Sequence, residues 1–327
     1  MYYLGLDLGG TKMEAAVISE RGLLISSERV LTHAQEGSAA VLERMFVLLD
    51  AVLSAAHLEA KQISGLGVGV PGAVDHATGS IHSLVNLPGW TNFPISDCLH
   101  SRYALPVFLN NDANAAAWGE YIFGNGRGCK DMLYVTVSTG IGGGIILDGR
   151  LHNGATGSAG EVGHMVLLHH GERCNCGNIG CWESISSGPA IAKEAMRRMH
   201  CGEESTLSSL AHPEKVTAED VFAARERGDR LAIEVTERAL YFLGLGIANL
   251  VNALNPERVI LGGGVAGVGE LLITRVKNVV EQVAYGPAKT VKILPASLKA
   301  KAGVIGAAAL AIGPVLPNNT FWVGQEP

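Results

Sequence analysis

The stretch from Glu161 to Glu183, EVGHMVLLHHGERCNCGNIGCWE, crowds His164, Cys174, Cys176 and Cys181 into eighteen residues. Three cysteines and one histidine match the ligand set of a closed, four-coordinate structural zinc site. A C-x-C pair with a third cysteine five residues on is too tight for three ordinary core positions, and free thiols or a redox pair are the alternative. Spacing alone leaves His164, His169 and His170 in competition for the fourth ligand place. A metal that pins this segment also fixes the carboxylates at its two ends. The expectation is a metal-shaped loop in which Glu161, His164 and Glu183 face a small polar ligand.

Two other stretches carry chemistry through their backbones. Residues 2–8 form an apolar, aromatic strand that runs into GGTK and then a second strand, MEAAVIS. A Gly-Gly-Thr turn between strands leaves N–H groups open, and these can hold phosphate. Asp7 at the strand end could hold a metal-bound water, and Lys12 could offset phosphate charge. The pattern is not a Walker A loop, because G-x-x-x-x-G-K-[ST] is absent. It returns at 132–147, where a strand ends in STGIGGG and a second strand leaves. Such internal duplication points to a phosphate chain gripped from two sides. In ALPVFLNNDANAAAWGEY, PVFL is a strand, NND a turn, and ANAAAWGEY opens a helix. Asn111 and Asp112 therefore sit where a strand ends and a helix begins, the edge at which open α/β sheets collect ligands. Asp112 as a plain helix N-cap is the simpler alternative.

The elements that position these groups alternate. An amphipathic helix spans 36–59, with Val41, Met45, Leu48, Leu49 and Val52 at helical spacing, and ISGLGVGVPG is a strand entering a turn. Helices follow over 217–227 and 229–254. The strand PERVILGGGVA ends in a third glycine cluster, a helix covers 268–285, VKILPA is a last strand, and GVIGAAALAI is a small-residue helix. The chain has 327 residues, 47% hydrophobic and 17% charged, with 42 glycines, which favours an α/β protein with many tight loops. A net charge of −6 argues against broad attraction to nucleic acid or to an anionic membrane. The start MYYLGLDLGG lacks a basic leader, and the apolar run near 303–316 is too short and too rich in Gly and Ala to span a bilayer. Six cysteines, three of them clustered, do not make a disulfide framework, and cytoplasm is the expected compartment.

DLGGTK (7–12), GVPG (69–72), NLPGW (86–90), NNDANAAAWGE (110–120), VSTGIGGG (137–144), EVGH (161–164), CNCGNIGCWE (174–183) and LGGGV (261–265), in this order, resemble the ROK family of sugar kinases and sugar-responsive repressors. The resemblance runs from about 5 to 313. It implies an α/β, two-domain actin-like ATPase (ribonuclease H-like) fold with a ligand cleft between domains. The smaller domain would use 1–115 plus 302–313 and the larger 116–301, with the zinc-bound loop at 164–181 and a tail at 314–327. It implies that Asp112 is the catalytic base, and that Asn86, Asn111, Glu161, His164 and Glu183 bond sugar hydroxyls. His164 would give one ring nitrogen to zinc and the other to sugar, which settles the fourth ligand beside Cys174, Cys176 and Cys181.

The phosphates of ATP would lie against Asp7, Gly9, Gly10, Thr11, Lys12, Ser138, Thr139, Gly140, Gly142, Gly143 and Gly144, with Gly262, Gly263 and Gly264 lining the nucleotide pocket and Mg²⁺ riding with ATP. The function implied is an ATP-dependent hexose kinase acting on the 6-hydroxyl of glucose. N-acetylhexosamine, mannose or fructose kinases of the same family are the alternatives. Repressors of the family carry a helix-turn-helix ahead of DxGGT, and with that element at residue 7 none is expected. A zinc-finger interaction module is the remaining reading. A homodimer is expected.

Overall fold

The computed structural model describes residues 1–82, 87, 89–210 and 212–313. The sequence expectations for Asn86 and for the tail at 314–327 lie outside the described residues. The elements in order are β1 (Tyr2–Leu8), β2 (Lys12–Ser19), β3 (Leu24–Leu31), α1 (Ser38–Ala55), β4 (Ile63–Val70), β5 (Val74–Asp75), β6 (Ser80–Ile81), α2 (Ile95–Tyr103), β7 (Val107–Asn111) and α3 (Asp112–Ile122). There follow β8 (Met132–Val137), β9 (Ile141–Leu147), β10 (Arg150–Leu151), α4 (Glu183–Ser186), α5 (Gly188–His200), α6 (Ala218–Glu226) and α7 (Arg230–Leu254). The chain continues through β11 (Arg258–Gly262), α8 (Glu270–Val283), β12 (Lys292–Pro295) and α9 (Ala302–Ala309). Two compact units divide the chain: Met1–Tyr134 with Gly144–Gly160 and Ala296–Pro327, and Val135–Gly143 with Glu161–Pro295.

One strand order is used twice. The first sheet runs β3-β2-β1-β4-β7 and the second β10-β9-β8-β11-β12. Each is a hairpin followed by parallel strands reached through helices, the duplication that the paired glycine turns announce. In the first sheet β1 and β2 are antiparallel, while β1, β4 and β7 are parallel. Side chains alternate across a strand. Leu4, Leu6 and Leu8 therefore enter one core with Val41, Met45 and Leu49 of α1 and with Leu66 and Val68 of β4. Tyr3 enters the opposite core with Val304, Ile305 and Ala308 of α9. Gly5 and Asp7 share the face of Tyr3 by the same alternation.

Close approach of α9 to the sheet depends on missing side chains. A Cβ placed on Gly67 of β4 would overlap the carbonyl oxygen of Ala307, and one on Gly5 would overlap Val304 and Ala308. The end of α3 is tied to the same helix, since Trp118 Nε1 donates to the carbonyl of Ala309 at 3.0 Å. Glu120, fully buried, accepts from Leu298 N at 2.7 Å, Ser297 Oγ at 3.0 Å and Asn125 N at 3.1 Å. In the second unit, α7 buries Leu240, Leu243, Ile247 and Val251 along one stripe and packs against α5, α6 and α8.

Several local expectations shift. NND is not a turn: Asn110 and Asn111 complete β7 and Asp112 is the first residue of α3. The Asn111 side chain accepts from Ala113 N and Asn114 N, so a cap, not a turn, joins strand to helix. β3 and α2 were not legible. β3 is an edge strand with Leu24, Ile25 and Leu31 exposed, and this hides its alternation.

Gly67→Ala is expected to destabilise the chain by about 3 kcal/mol, because the new methyl meets backbone that cannot rotate aside. A denaturant melt checks this, and Gly67→Ser should be no better tolerated.

Candidate active site

Register sets Asp7 level with Asn110, two residues before Asp112. Asp7 of β1 pairs with Gly69 of β4, and Gly69 pairs with Asn110 of β7. Gly69 has only hydrogen where a side chain would stand. Its missing Cβ would lie 3.5 Å from Asp112 Cα and 3.8 Å from Asp7 Oδ1. Asp7, Gly69 and Asn110 sit at the carboxyl ends of parallel strands, and Asp112 opens the helix that follows. Burial pushes the Asp7 carboxyl up to about 7, and the facing charges of Asp112 and Glu14 add to that, while Arg29 and Lys12 oppose it. A divalent cation beside Asp7 would relieve this cost, so the donor set fits the Mg²⁺ that accompanies a nucleotide.

Asp112 is oriented by its place at the start of α3, where its Oδ1 accepts from Ala113 N at 2.8 Å. Asn111 is largely committed. Its Oδ1 takes two N–H groups, and its Nδ2 donates to Gly72 O at 3.3 Å, which leaves one amide hydrogen for a ligand. Beneath it, Asn110 Oδ1 accepts from Asn111 N at 2.8 Å and from Asn114 Nδ2 at 3.2 Å, and Asn110 Nδ2 donates to Asn153 Oδ1 at 3.2 Å. Sequence reading did not single out Asn110, Asn114 or Asn153 for this buried amide network. The GGT turn stands beside this group, with Gly9 N donating to Lys12 O at 3.0 Å and Thr11 and Lys12 exposed.

The second unit gathers the sulfur cluster. One ligand atom each from His164, Cys174, Cys176 and Cys181 lies within 4.8 Å of all the others. Cys174 Sγ is 3.7 Å from His164 Nδ1, and Cys176 Sγ is 3.6 Å from Cys181 Sγ. Four ligands at Zn–S distances of about 2.3 Å around a tetrahedral ion stand roughly 3.8 Å apart, so the residues fit zinc. The knuckle is held by Cys174 N donating to Asn178 O at 2.8 Å, Gly177 N to Cys174 O at 3.0 Å and Gly180 N to Glu172 O at 2.8 Å. Burial pushes the Cys181 thiol up to about 12, with its sulfur neighbours adding, and burial also raises Cys174. A cation must displace those protons, so binding of zinc releases them. His169 and His170 are exposed, with their rings tilted against each other at a centroid distance of 4.4 Å.

His164 turns Nδ1 to the sulfurs and Nε2 toward Glu161 Oε2, 3.9 Å away. Glu183, two residues past Cys181, reaches the second glycine turn: its Oε2 accepts from Ile141 N at 2.9 Å, and its Oε1 lies 3.9 Å from Cys174 Sγ. A Cβ on Gly140 would strike the Glu183 carboxylate, and one on Gly163 would strike the Ile141 carbonyl oxygen. The first residue of β9 is thus clasped by the residues that bracket the knuckle. The Ser138–Thr139–Gly140 turn is closed by Ser138 N donating to Gly140 O at 2.8 Å, and Gly188 N donates to Ser138 O at 2.9 Å. The third glycine cluster lies against it. A Cβ on Gly263, at φ 89°, would strike the Val137 carbonyl, and one on Gly264 would lie 3.5 Å from Ser138 Oγ. Gly262 ends β11, Gly142 and Gly143 lie within β9 in the same unit, and Gly144 follows them in the first unit.

Two five-stranded sheets with one repeated strand order and a glycine-turn hairpin in each define the actin-like ATPase fold. The ROK family profile matches residues 3–313, and the chain belongs to the ROK family. A glucokinase from Halalkalibacterium halodurans is 39% identical over 308 residues, covering 93% of each chain. A xylose repressor from Caldicellulosiruptor bescii is 33% identical over 96% of this chain and 78% of its own length. The crystal structure of a ROK family glucokinase from Streptomyces griseus, in complex with glucose and AMPPNP, aligns with a TM-score of 0.82 at 32% identity, over 95% of this chain and 99% of that one. Among the described residues no helix is long and apolar enough to cross a membrane.

Two outcomes follow from this geometry. Asp7→Asn should raise the melting temperature by several degrees at about pH 8 and scarcely at all at about pH 4. Between those limits the folded wild-type chain keeps a proton that the unfolded chain, with its ordinary carboxyl at 3.8, releases; native stability therefore falls as pH rises through the window, and the cost is complete above about 7. Thermal melts across pH check the sign. Cys176→Ala should lose bound metal by elemental analysis and should weaken binding of sugar and of nucleotide alike, because Glu183 touches both the knuckle and the β9 turn. Full metal content with unchanged affinities would overturn this.

Proposed function

We propose that this chain is an ATP-dependent hexose kinase of glucokinase type, transferring the γ-phosphoryl group to the 6-hydroxyl of glucose. The observation that carries the reading is the placement of Asp112. It is a carboxylate at a strand–helix junction, across Gly69 from Asp7, which leads into an open glycine turn, in a chain that follows a glucokinase along 93% of its length.

The steps assigned to the chain are few, because phosphoryl transfer needs positioning and charge stabilisation more than covalent help. Asp112 accepts the proton of the attacking hydroxyl through the carboxylate edge not held by Ala113 N. Asn111 offers its remaining amide hydrogen to a neighbouring hydroxyl. Asn86, Glu161, His164 and Glu183 are assigned the other hydroxyls, Glu183 through Oε1, since Oε2 serves Ile141. A site built from such groups rejects analogues that lack a hydroxyl. Backbone N–H groups of the two glycine turns, with Lys12, stabilise the phosphates. Mg²⁺ bound with ATP would supply neutralisation of the charge that develops on the β- and γ-phosphates. Zinc on His164, Cys174, Cys176 and Cys181 is assigned a structural role, because four protein ligands fill a tetrahedral ion. A homodimer and a cytoplasmic setting belong to the same reading.

The test is ADP release with ATP·Mg²⁺ across glucose, mannose, fructose, N-acetylglucosamine and N-acetylmannosamine. Glucose is expected to turn over fastest. Asp112→Asn should keep its fold and its sugar affinity while kcat falls by about 10²–10⁴. Near-normal turnover would remove Asp112 as base. Sugar binding without turnover on any of the five would favour a sensing role, as in the repressor relative.

A further inference from the structure

The GGT turn can present either of two electrical faces to a phosphate. In a trans peptide the carbonyl and the N–H point in opposite directions, so rotating one peptide plane swaps a donor for an acceptor at the same place. The Gly9–Gly10 plane is the one most free to rotate, since neither residue has a side chain to resist. Something outside the hairpin must choose its direction.

Thr32, the residue after β3, makes that choice. It is fully buried. Its Oγ1 donates to the Gly9 carbonyl at 2.6 Å, and its backbone N–H donates to the Thr11 carbonyl at 2.9 Å. The Thr32 carbonyl is held in turn by Arg44 Nη1 of α1 at 2.8 Å, and Arg44 Nη2 pairs with Glu36 at 2.6 Å. One buried residue thus engages two carbonyls of the turn and is itself fixed from the helix behind. With the Gly9 carbonyl drawn toward Thr32, the Gly10 N–H must point the other way. The N–H groups of Gly10 and Thr11 have no hydrogen-bond acceptor among the described residues, where a phosphate oxygen could take them.

We propose that Thr32 is a positioning residue for nucleotide phosphates: its hydroxyl holds the Gly9–Gly10 peptide with the N–H side toward the phosphate and the carbonyl side away. The inference rests on the kinase reading and deepens it. Without the hydroxyl the plane is free to turn its carbonyl dipole against the phosphate oxygens, a repulsion that replaces an attraction. Adenosine, which carries no phosphate, is indifferent to that choice.

The experiment is equilibrium binding of ATP and of adenosine, without sugar, to the wild-type chain and to Thr32→Val, Thr32→Cys and Thr32→Ser, followed by steady-state kinetics. Valine keeps the shape and the backbone N–H but removes the donor, cysteine keeps only a weak one, and serine restores it. Thr32→Val is expected to raise the Kd and KM for ATP about tenfold, with adenosine binding and sugar KM unchanged, and Thr32→Ser to return within about twofold of wild type. If the valine variant does not fold, the cysteine variant carries the same comparison. ATP affinity unchanged in the folded valine or cysteine variant overturns the inference alone. Equal losses for ATP and adenosine also overturn it, because they mark a general structural defect. A wild-type chain that binds adenosine and ATP equally would overturn the phosphate-gripping role of the hairpin, and the kinase reading with it.

Discussion

Two carboxylates brought together at the carboxyl end of a parallel sheet, Asp7 on β1 and Asp112 at the start of α3 with only Gly69 between them, are the constraint on which the first unit is built. Burial makes a charge on Asp7 costly, and the facing charge of Asp112 adds to that cost. Such a pair persists only where surrounding structure over-determines it. That surrounding structure is visible. β1, β4 and β7 fix the register, Gly69 opens the space, the Asn111 cap fixes the start of α3, and the amides of Asn110, Asn114 and Asn153 tie the end of β7 to α3 and to the loop at Asn153. Behind the sheet, α9 comes close enough to press backbone on backbone because Gly5 and Gly67 present no side chain. Stability is gathered at the rear so that an unfavourable charge arrangement can stand at the strand ends.

The second unit reuses the same plan with a different means of support. Its glycine turn is also the link of a hairpin, and the second sheet repeats the strand order of the first. The first turn is held by Thr32, at a neighbouring strand end and itself fixed by Arg44 of the helix behind. The second is held by Glu183 through Ile141 N, by Gly188 N through Ser138 O, and by the close approach of Gly163 and Gly263. In both cases the partners act on the backbone of the turn. This is what a loop that binds through N–H groups requires, since side chains cannot substitute for a peptide plane facing the wrong way.

Much of this was legible in the sequence, for a physical reason. Cysteine spacing, glycine clusters after apolar runs and a strand–Asp–helix junction are local signals, and they placed the sulfur cluster, both hairpins and Asp112. What was hidden is what depends on distant pairing. Thr32 meets Gly9 across 23 positions, Glu183 meets Ile141 across 42, and Asn110 meets Asn153 across 43. Nothing local marks such partners. Thr32 follows an edge strand whose exposed Leu24, Ile25 and Leu31 obscure its period, and Asn153 lies in a loop. The reading of NND as a turn failed in an instructive way. Asparagine satisfies turns and caps with the same side-chain oxygen, and only the fold decides which.

The knuckle explains why a metal-binding set belongs in the second unit at all. The segment from Glu161 to Glu183 contains a single 3-10 turn at Val162–His164, the first residue of α4 and isolated bridges such as Val166 with Cys181 and Arg173 with Ile179, too little regular structure to fix a carboxylate to a few tenths of an ångström. Three sulfurs and one imidazole nitrogen, placed to close on one ion, would supply that rigidity without a hydrophobic core. The ligands are placed to use it. His164 lies three residues after Glu161, and Cys181 two before Glu183, so both carboxylates are adjacent to fixed points. Glu183 then has one oxygen committed to the β9 backbone and one remaining, which makes a single side chain answer to the position of the turn and to whatever binds beside the knuckle. A glutamine could still accept from Ile141, but it would bring a donor where the second oxygen now accepts, and an aspartate is one methylene too short to reach both. The residue type follows from the two distances it must satisfy.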